Sequence, residues 1–267
     1  IMVDEKFGNA GNQVVIEEFL DGVEASILSF TDSRIIVPLL SAKDHKKIGE
    51  DETGLNTGGM GVISPNPFVT DEIFEKFKSD IMEPTLKGMQ SEGMDFAGVI
   101  FFGLMITKKG VYLLEYNMRM GDPETQAVLP LLENDLLELI EKSFDKKLSE
   151  IKVNWKPLHS CCVVAAAGGY PESYKKGDEI TGVLDFKETE DNKVFICGDF
   201  KETEDNKVFI CGAKVENGKL LTNGGRVLNA VALGNTLEEA QKKAYELLKT
   251  INFEGMYFRK DIGGRFY

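Results

Sequence analysis

The sequence predicts an α+β architecture built from antiparallel sheets. Three observations carry that expectation: short β-rich runs come in clusters joined by tight turns, single amphipathic helices separate those clusters, and beyond residue 152 short strands and glycine turns dominate. Gln13–Leu20 is a β-rich run ending at Asp21-Gly22, read as strand then turn. Ala25–Phe30 and Arg34–Leu39 are further strands joined through residues 31–33. From Lys43 to Pro67 the chain is rich in Gly, Asn and Pro and has little periodicity, which reads as a long functional loop.

Thr70 caps a helix with Asp71 and Glu72 in its first turn and Phe74, Phe77 and Ile81 on one face. Two strands follow, Ala97–Ile106 and Val111–Tyr116. Asp122-Pro123-Glu124 reads as a helix start, with an N-cap, Pro at N1 and an acid in the first turn. A second helix after Asn134 spaces Leu136, Leu137, Ile140 and Phe144 for one buried face. After Asn154–Pro157 come a strand at Cys161–Ala167 and glycine turns at 168–171 and 222–226. Thr236–Glu239 is a capping box opening a helix to about Ile251. The change in character divides the chain into residues 1–152 and a smaller β-rich domain at 153–267.

With 31 Lys and Arg against 44 Asp and Glu, the formal charge of −13 argues against a nucleic-acid binder, which needs clustered positive charge. The apolar runs are too short to span a bilayer and no leader pattern opens the sequence, so a soluble, cytoplasmic chain is expected, without a membrane partner. Cys161, Cys162, Cys197 and Cys211 lack metal-ligand spacing and read as buried small apolar residues, with Cys161 and Cys162 on opposite strand faces. Residues 185–198 and 199–212 are the same fourteen letters, DFKETEDNKVFICG. Solenoid repeats are longer and diverge, so this pair reads as an insertion, a recent duplication or a fault in the recorded sequence, not as a functional unit.

Three stretches could carry chemistry. Leu113–Gln126 brings Glu115 and Asn117 onto one strand face as hard oxygen donors suited to Mg²⁺, with Arg119 one step further and Asp122-Pro123 opening a helix toward an anion. The same letters also read as a buried Glu–Arg pair at a strand end. Asn56, Thr57, Gly58, Gly59, Met60 and Gly61, preceded by Asp44, His45 and Lys46, form a glycine loop able to approach phosphate or carboxylate oxygens, or a plain glycine turn. In it His45 is an acid or base, or a solvent-facing side chain. Glu17, Glu18 and Leu20, with Glu24 after the turn, could meet an adenine edge and ribose hydroxyls, or be an ordinary acidic strand end.

In order, the strings VIEEFLDGVEAS (15–26), DHK (44–46), GLNTGGMGVISPNP (54–67), GVIFFGLMI (98–106), LLEYNMRMGDPETQ (113–126), AAAGGYP (165–171), TNGGRVL (222–228) and FEGMYFRKDIG (253–263) resemble the phosphoribosylamine–glycine ligases of the ATP-grasp superfamily. The resemblance implies a partial ATP-grasp fold followed by the smaller C-terminal domain, covering roughly the C-terminal three-fifths of such an enzyme. It implies ATP and Mg²⁺ or Mn²⁺ as cofactors, and glycine and 5-phosphoribosylamine as substrates joined through a glycyl phosphate. By resemblance Glu17, Glu18, Leu20 and Glu24 attend ATP, and Glu115 and Asn117 the metal. Arg119, Asp122 and the loop Asn56–Met60 attend the phosphates and the amino acid, and Asp44, His45, Lys46 and Arg226 the phosphoribosyl partner. Val23-Glu24, Met118 and Met120 depart from the family's usual letters while leaving the ligands intact. The alternative is a non-catalytic binding fragment, or one half of a split ligase whose partner supplies the N-terminal half.

Overall fold

The computed structural model describes residues 13–182 and 206–264. Its frame is an eight-stranded, wholly antiparallel sheet. In chain order the strands are β1 (Val23–Thr31), β2 (Ile36–Asp44), β3 (Lys47–Gly49), β4 (Thr53–Asn56), β5 (Gly61–Ser64), β6 (Gly98–Thr107), β7 (Gly110–Asn117), β8 (His159–Ala166), β9 (Asn206–Ile210), β10 (Ala213–Glu216), β11 (Lys219–Thr222) and β12 (Arg226–Gly234). The sheet runs β7-β6-β1-β2-β5-β8-β12-β9, while β3-β4 and β10-β11 form separate two-stranded ribbons.

Adjacent residues on these strands feed different cores, as a period of two requires. Ile27, Ile100 and Phe102 point to a cluster under the helices α1 (Asp71–Phe77) and α2 (Glu83–Ser91), which a π-helical turn joins. Their neighbours Leu28 and Phe101, together with Val62 and Val231, enter a cluster on the other face, covered by α3 (Glu124–Val128) and α4 (Leu136–Phe144). Cys161 and Cys162 obey the same rule: Cys161 packs with Val163, Ala230 and Ala232 under α5 (Leu237–Leu248), and Cys162 lies in the opposite cluster. Both faces are therefore buried, which is why β6 and β8 read as continuous apolar runs. Phe102, fully buried, meets Phe77 and Tyr116 edge-on at centroid distances of 5.1 and 5.6 Å.

The caps at Thr70 and Thr236 form as expected, accepting from Ile73 N (3.3 Å) and Glu239 N (3.2 Å). Glu239 returns its carboxylate to Asn235 N at 2.8 Å, one residue earlier than a standard capping box.

Several expectations change. Gln13–Leu20 is extended but not a strand; Val15, Ile16 and Phe19 are 86%, 91% and 89% exposed, because among the described residues nothing lies alongside to complete a ladder. The loop expected over 43–67 holds the β3-β4 hairpin and β5, a central strand of the sheet. On α4 it is Leu139 and Ser143 that are buried, whereas Leu137 and Phe144 stand 59% and 69% exposed, Phe144 beside an apolar cleft of about 340 Å³. Periodicity marks an apolar face but does not say what covers it. Pro123 has non-helical angles (φ −103°, ψ 16°), so α3 starts at Glu124 and Asp122 does not cap it; Asp122 instead accepts from Gln126 Nε2 at 2.8 Å. The first fourteen-residue copy, with Cys197, lies outside the described residues, and the second supplies β9. Among the described residues no helix is long and apolar enough to cross a membrane.

Candidate functional site

The site is built at one end of β1, β2, β6 and β7, on the sheet face that α3 covers. Register puts Ser26 opposite Gly103 and Gly103 opposite Glu115, so these three share one row. The middle position is a glycine, and a Cβ there would stand 3.0 Å from Glu115 Cγ. A bulge in β6-β7 between Gly103 and Leu104 re-aims the strand end. Asn117 then lies on the face of Glu115 and donates from Nδ2 to Glu115 Oε1 at 3.2 Å, leaving its amide oxygen outward. An exposed carboxylate and a half-buried amide side by side fit a divalent cation whose remaining ligands are phosphate and water. Arg119 does not extend this row: β7 ends at Asn117, and Arg119 Nη1 donates to the Met120 carbonyl at 2.9 Å.

The glycine loop connects β4 to β5 and is tied down at nearly every residue. Thr57 N and Oγ1 both donate to Lys46 O at 2.8 Å, Gly59 N donates to Thr57 Oγ1 at 3.0 Å, and Met60 N donates to His45 O at 2.9 Å. Asn56 sits outside this knot, exposed and paired with Lys47 in the hairpin. Gly58 is pinned from two sides: its N–H donates to Tyr170 Oη at 3.0 Å and its carbonyl accepts from Arg226 Nη1 at 2.7 Å. Arg226 also donates to the Asp122 carbonyl at 2.7 Å and pairs with its carboxylate at 3.0 Å. It therefore straps the loop to the start of α3. Lys46 reaches Glu24 at 2.6 Å; burial works against its charge, but the Glu24 hydrogen bond holds its pKa above the usual lysine value.

Two expected site residues are packed away from this surface. Met60 is fully buried, its amide committed to His45 and its carbonyl to Val164 N, so it supports the loop and offers substrate nothing. His45 is 3% exposed, neither solvent-facing nor placed as an open base, with Nδ1 against Gly61 O at 3.0 Å. Burial, then the charges of Lys43 and Arg259, push its pKa from 6.5 to about 4. Between those values the unfolded chain takes up the proton and the folded chain does not. Stability is therefore expected to fall as pH drops from 6.5 toward 4, and His45→Gln to flatten that slope in denaturant titrations across pH.

Glu18 and Leu20 line a separate cleft of about 690 Å³ with Phe68, Lys108, Lys109 and Tyr112; Glu17 is exposed beside it. β1 starts in that cleft at Val23 and carries Glu24 onward to Lys46, which links it to the loop. Sequence reasoning passed over Ser26, Glu124, Tyr170 and Arg259. All four lay inside recognised strings, but nothing in the strings says that Glu124 turns inward to accept from Ser26 Oγ at 3.2 Å.

Comparison with known proteins accords with this arrangement. Residues 1–125 match the family described as phosphoribosylglycinamide synthetase, ATP-grasp (A) domain, and residues 160–265 the C domain of the same synthetase. The phosphoribosylamine–glycine ligases of Fusobacterium nucleatum and Clostridium acetobutylicum are 56% and 54% identical to the chain, each over 98% of it and 59% of the relative. The crystal structure of the Thermotoga maritima phosphoribosylamine–glycine ligase superposes with a TM-score of 0.78 at 34% identity, covering 92% of this chain and 57% of that one. The biotin carboxylase domain of Hydrogenobacter thermophilus 2-oxoglutarate carboxylase shares the fold at 12% identity, with a TM-score of 0.57 over 88% of this chain and 46% of its own. The chain thus spans about three-fifths of the length of the curated relatives it matches. With both matched regions in order along one chain, and the sheet that joins them carrying the site, the chain belongs to the phosphoribosylglycinamide synthetase family of ATP-grasp proteins.

Proposed function

We propose that this chain carries the metal-binding and acyl-activating part of an ATP-dependent ligase that joins glycine to 5-phosphoribosylamine, giving glycinamide ribonucleotide, ADP and phosphate in the cytoplasm. The observation that carries the reading is the Glu115–Asn117 donor pair, set on the same sheet face as a glycine loop strapped by Arg226 to Asp122. Mg²⁺ or Mn²⁺ held by Glu115 and the Asn117 amide oxygen would neutralise triphosphate charge. The loop Asn56–Gly59, its Thr57, Gly58 and Gly59 amides spent on Lys46 O, Tyr170 Oη and Thr57 Oγ1 and its Gly58 carbonyl on Arg226, forms a rigid wall that limits where the acceptor carboxylate sits. In the reaction the carboxylate takes the γ-phosphoryl group. The amine nitrogen then bonds to the acyl carbon as the carbon–oxygen bond to phosphate breaks, and the nitrogen's proton leaves with the phosphate. Arg119, exposed at the end of β7, is available to the transferring phosphoryl group. The cleft at Glu18 and Leu20, with Glu17 and Glu24 at its edges, is the proposed adenosine site. Asp44, Lys46 and Arg226 border the region proposed for the phosphoribosyl partner. The division near residue 152 is part of the same proposal, with the eight-stranded sheet passing through both parts.

The test is phosphate release with MgATP, glycine and phosphoribosylamine, run with and without a polypeptide covering the rest of the relatives' length. Glu115→Gln is expected to lower the metal-dependent rate by about a hundredfold or more, in line with the loss of one preorganised charge-stabilising group. An unchanged rate would remove Glu115 from the metal site.

A second reading, a binding half that acts only with a separate partner, is favoured by the exposed apolar run Val15, Ile16 and Phe19 and by the open face of α4. Glycine-dependent phosphate release by the chain alone would exclude it.

A further inference from the structure

The ribbon that leads into the glycine loop has little of its own to hold it in place. β3 and β4 stand apart from the main sheet, β3 half-buried and β4 exposed, and the turn between them buries no residue. A lone two-stranded hairpin is marginal in water. At its tip Asp51 and Glu52 both take left-handed backbone angles, with φ of 54° and 55°, which side chains adopt at a cost. Such a turn persists only where its surroundings impose it.

The C-terminal segment imposes it. Arg259, fully buried, spreads its guanidinium from the base of the ribbon to its tip: Nη1 donates to Lys47 O at 3.0 Å and Nη2 to Glu52 Oε1 at 2.8 Å. Asp261, which pairs with Arg259, accepts from Asp51 N at 3.0 Å, and Tyr257 Oη donates to Ile48 O at 2.7 Å. The grip is itself anchored. Tyr257 pairs with Ala166 of β8, and Tyr245 Oη on α5 donates to Arg259 O at 2.7 Å. On the other side of the ribbon is the loop. Lys47 faces Asn56, and the carbonyl of the preceding residue, Lys46, accepts from Thr57 N and Oγ1. The His45 carbonyl, one residue earlier, accepts from Met60 N. A planar fork that fixes the Lys47 carbonyl therefore fixes the stretch from which the loop hangs.

We propose that Arg259 is a positioning residue for the ligase site: through Lys47 O and Glu52 it holds the β3-β4 ribbon, and with it the loop wall that limits where the acceptor carboxylate sits. Arg259 acts only through the ribbon and touches no substrate. The proposal rests on the ligase reading and adds to it the C-terminal segment as the part that sets the loop.

The test uses three replacements. Arg259→Lys keeps the charge and loses the fork, while Glu52→Gln and Tyr257→Phe each weaken one contact on the exposed side of the grip. Amide hydrogen exchange in the full 267-residue chain is expected to quicken by about three- to tenfold at Thr57 and Met60 in the two milder variants, the worth of one hydrogen bond, and by more in Arg259→Lys. Amides of the β1-β6 ladder should keep their parent rates in the milder variants, whereas a merely structural role would move both sets together. In phosphate-release assays beside the polypeptide covering the rest of the relatives' length, the same variants should raise KM for glycine by a similar factor and leave KM for MgATP unchanged. Unchanged exchange at Thr57 and Met60, equal quickening in β1-β6, or faster loop exchange with an unmoved KM for glycine would each overturn the proposal. If Arg259→Lys does not fold, Glu52→Gln and Tyr257→Phe decide. The two readings fail separately. A parent without glycine-dependent phosphate release sinks the ligase assignment while loop exchange still reports the grip, and normal turnover with unmoved loop exchange sinks only the role of Arg259.

Discussion

Replacing Arg259 by Met is expected to cost about 3–5 kcal/mol of folding stability, the range for removing one member of a buried charge network. The side chain is 1% exposed yet fully engaged. Its Nε and Nη2 meet Asp261 at 2.8 and 2.7 Å, Nη2 also reaches Glu52 at 2.8 Å, and Nη1 donates to Lys47 O at 3.0 Å. Met fills a similar volume but leaves the Asp261 carboxylate, whose side chain is 11% exposed, without its cation. Glu52 is half exposed and re-hydrates, so its share is small.

The pH dependence carries a sign that checks the mechanism. Burial alone would raise Asp261, but the hydrogen bonds from Arg259, with the Asp51 amide, hold it below its ordinary 3.8. The pair therefore stabilises the fold fully above about pH 4, and that stability is lost as pH falls through the lowered value. Urea titrations from pH 3 to 7 should show the parent losing stability at the acid end, and Arg259→Met losing less of what little it has. A double replacement, Arg259→Met with Asp261→Leu, is expected to recover part of the loss, since no lone charge then remains buried. Unchanged stability in Arg259→Met would mean that the C-terminal segment is not anchored through this network.

The second large effect is expected at Gly59. Its φ of +113° is one that side chains rarely adopt, and an added Cβ would stand 2.6 Å from both Asp44 Oδ1 and Pro123 Cδ. Gly59→Ala should cost about 1–3 kcal/mol in strain and displace the loop from Asp44 and the start of α3, abolishing substrate binding at far milder denaturation than Arg259→Met. Gly88→Ala is the control. Gly88 lies within α2 with nothing within 4 Å of its added Cβ, so the change should raise stability by about 0.5–1 kcal/mol and leave binding intact. Thermal melts with ligand titrations on the same samples separate the two outcomes. Full binding in Gly59→Ala would show that the loop's conformation is not what the site uses.

The residues that carry the site differ in how far one dimension reveals them. Glu115 and Asn117 are legible because a strand's period of two puts them on one face whatever the rest of the fold does, and the structure pairs them. The caps at Thr70 and Thr236 are legible because the bonds are local. Glu124 reads as a first-turn acid because its partner, Ser26, lies 98 residues away. Arg226 and Gly58 are 168 residues apart, and no spacing rule connects a β12 arginine to the loop before β5.

By itself, the sequence determined the antiparallel α+β class, the order of most strands and helices, the shared strand face of Glu115 and Asn117 and the motif set of the family. Those follow from local periodicity, turn chemistry and close spacing, which act over a few residues. The tertiary structure alone decided that β5 lies at the centre of one continuous sheet. It also decided that His45 and Met60 turn inward, that α4 and residues 13–20 keep apolar surface open, and that Asp44 Oδ1 is buried without a hydrogen-bond partner among the described residues. Burial and counter-charge depend on what folds against a residue from distant parts of the chain, and a local pattern carries no record of that.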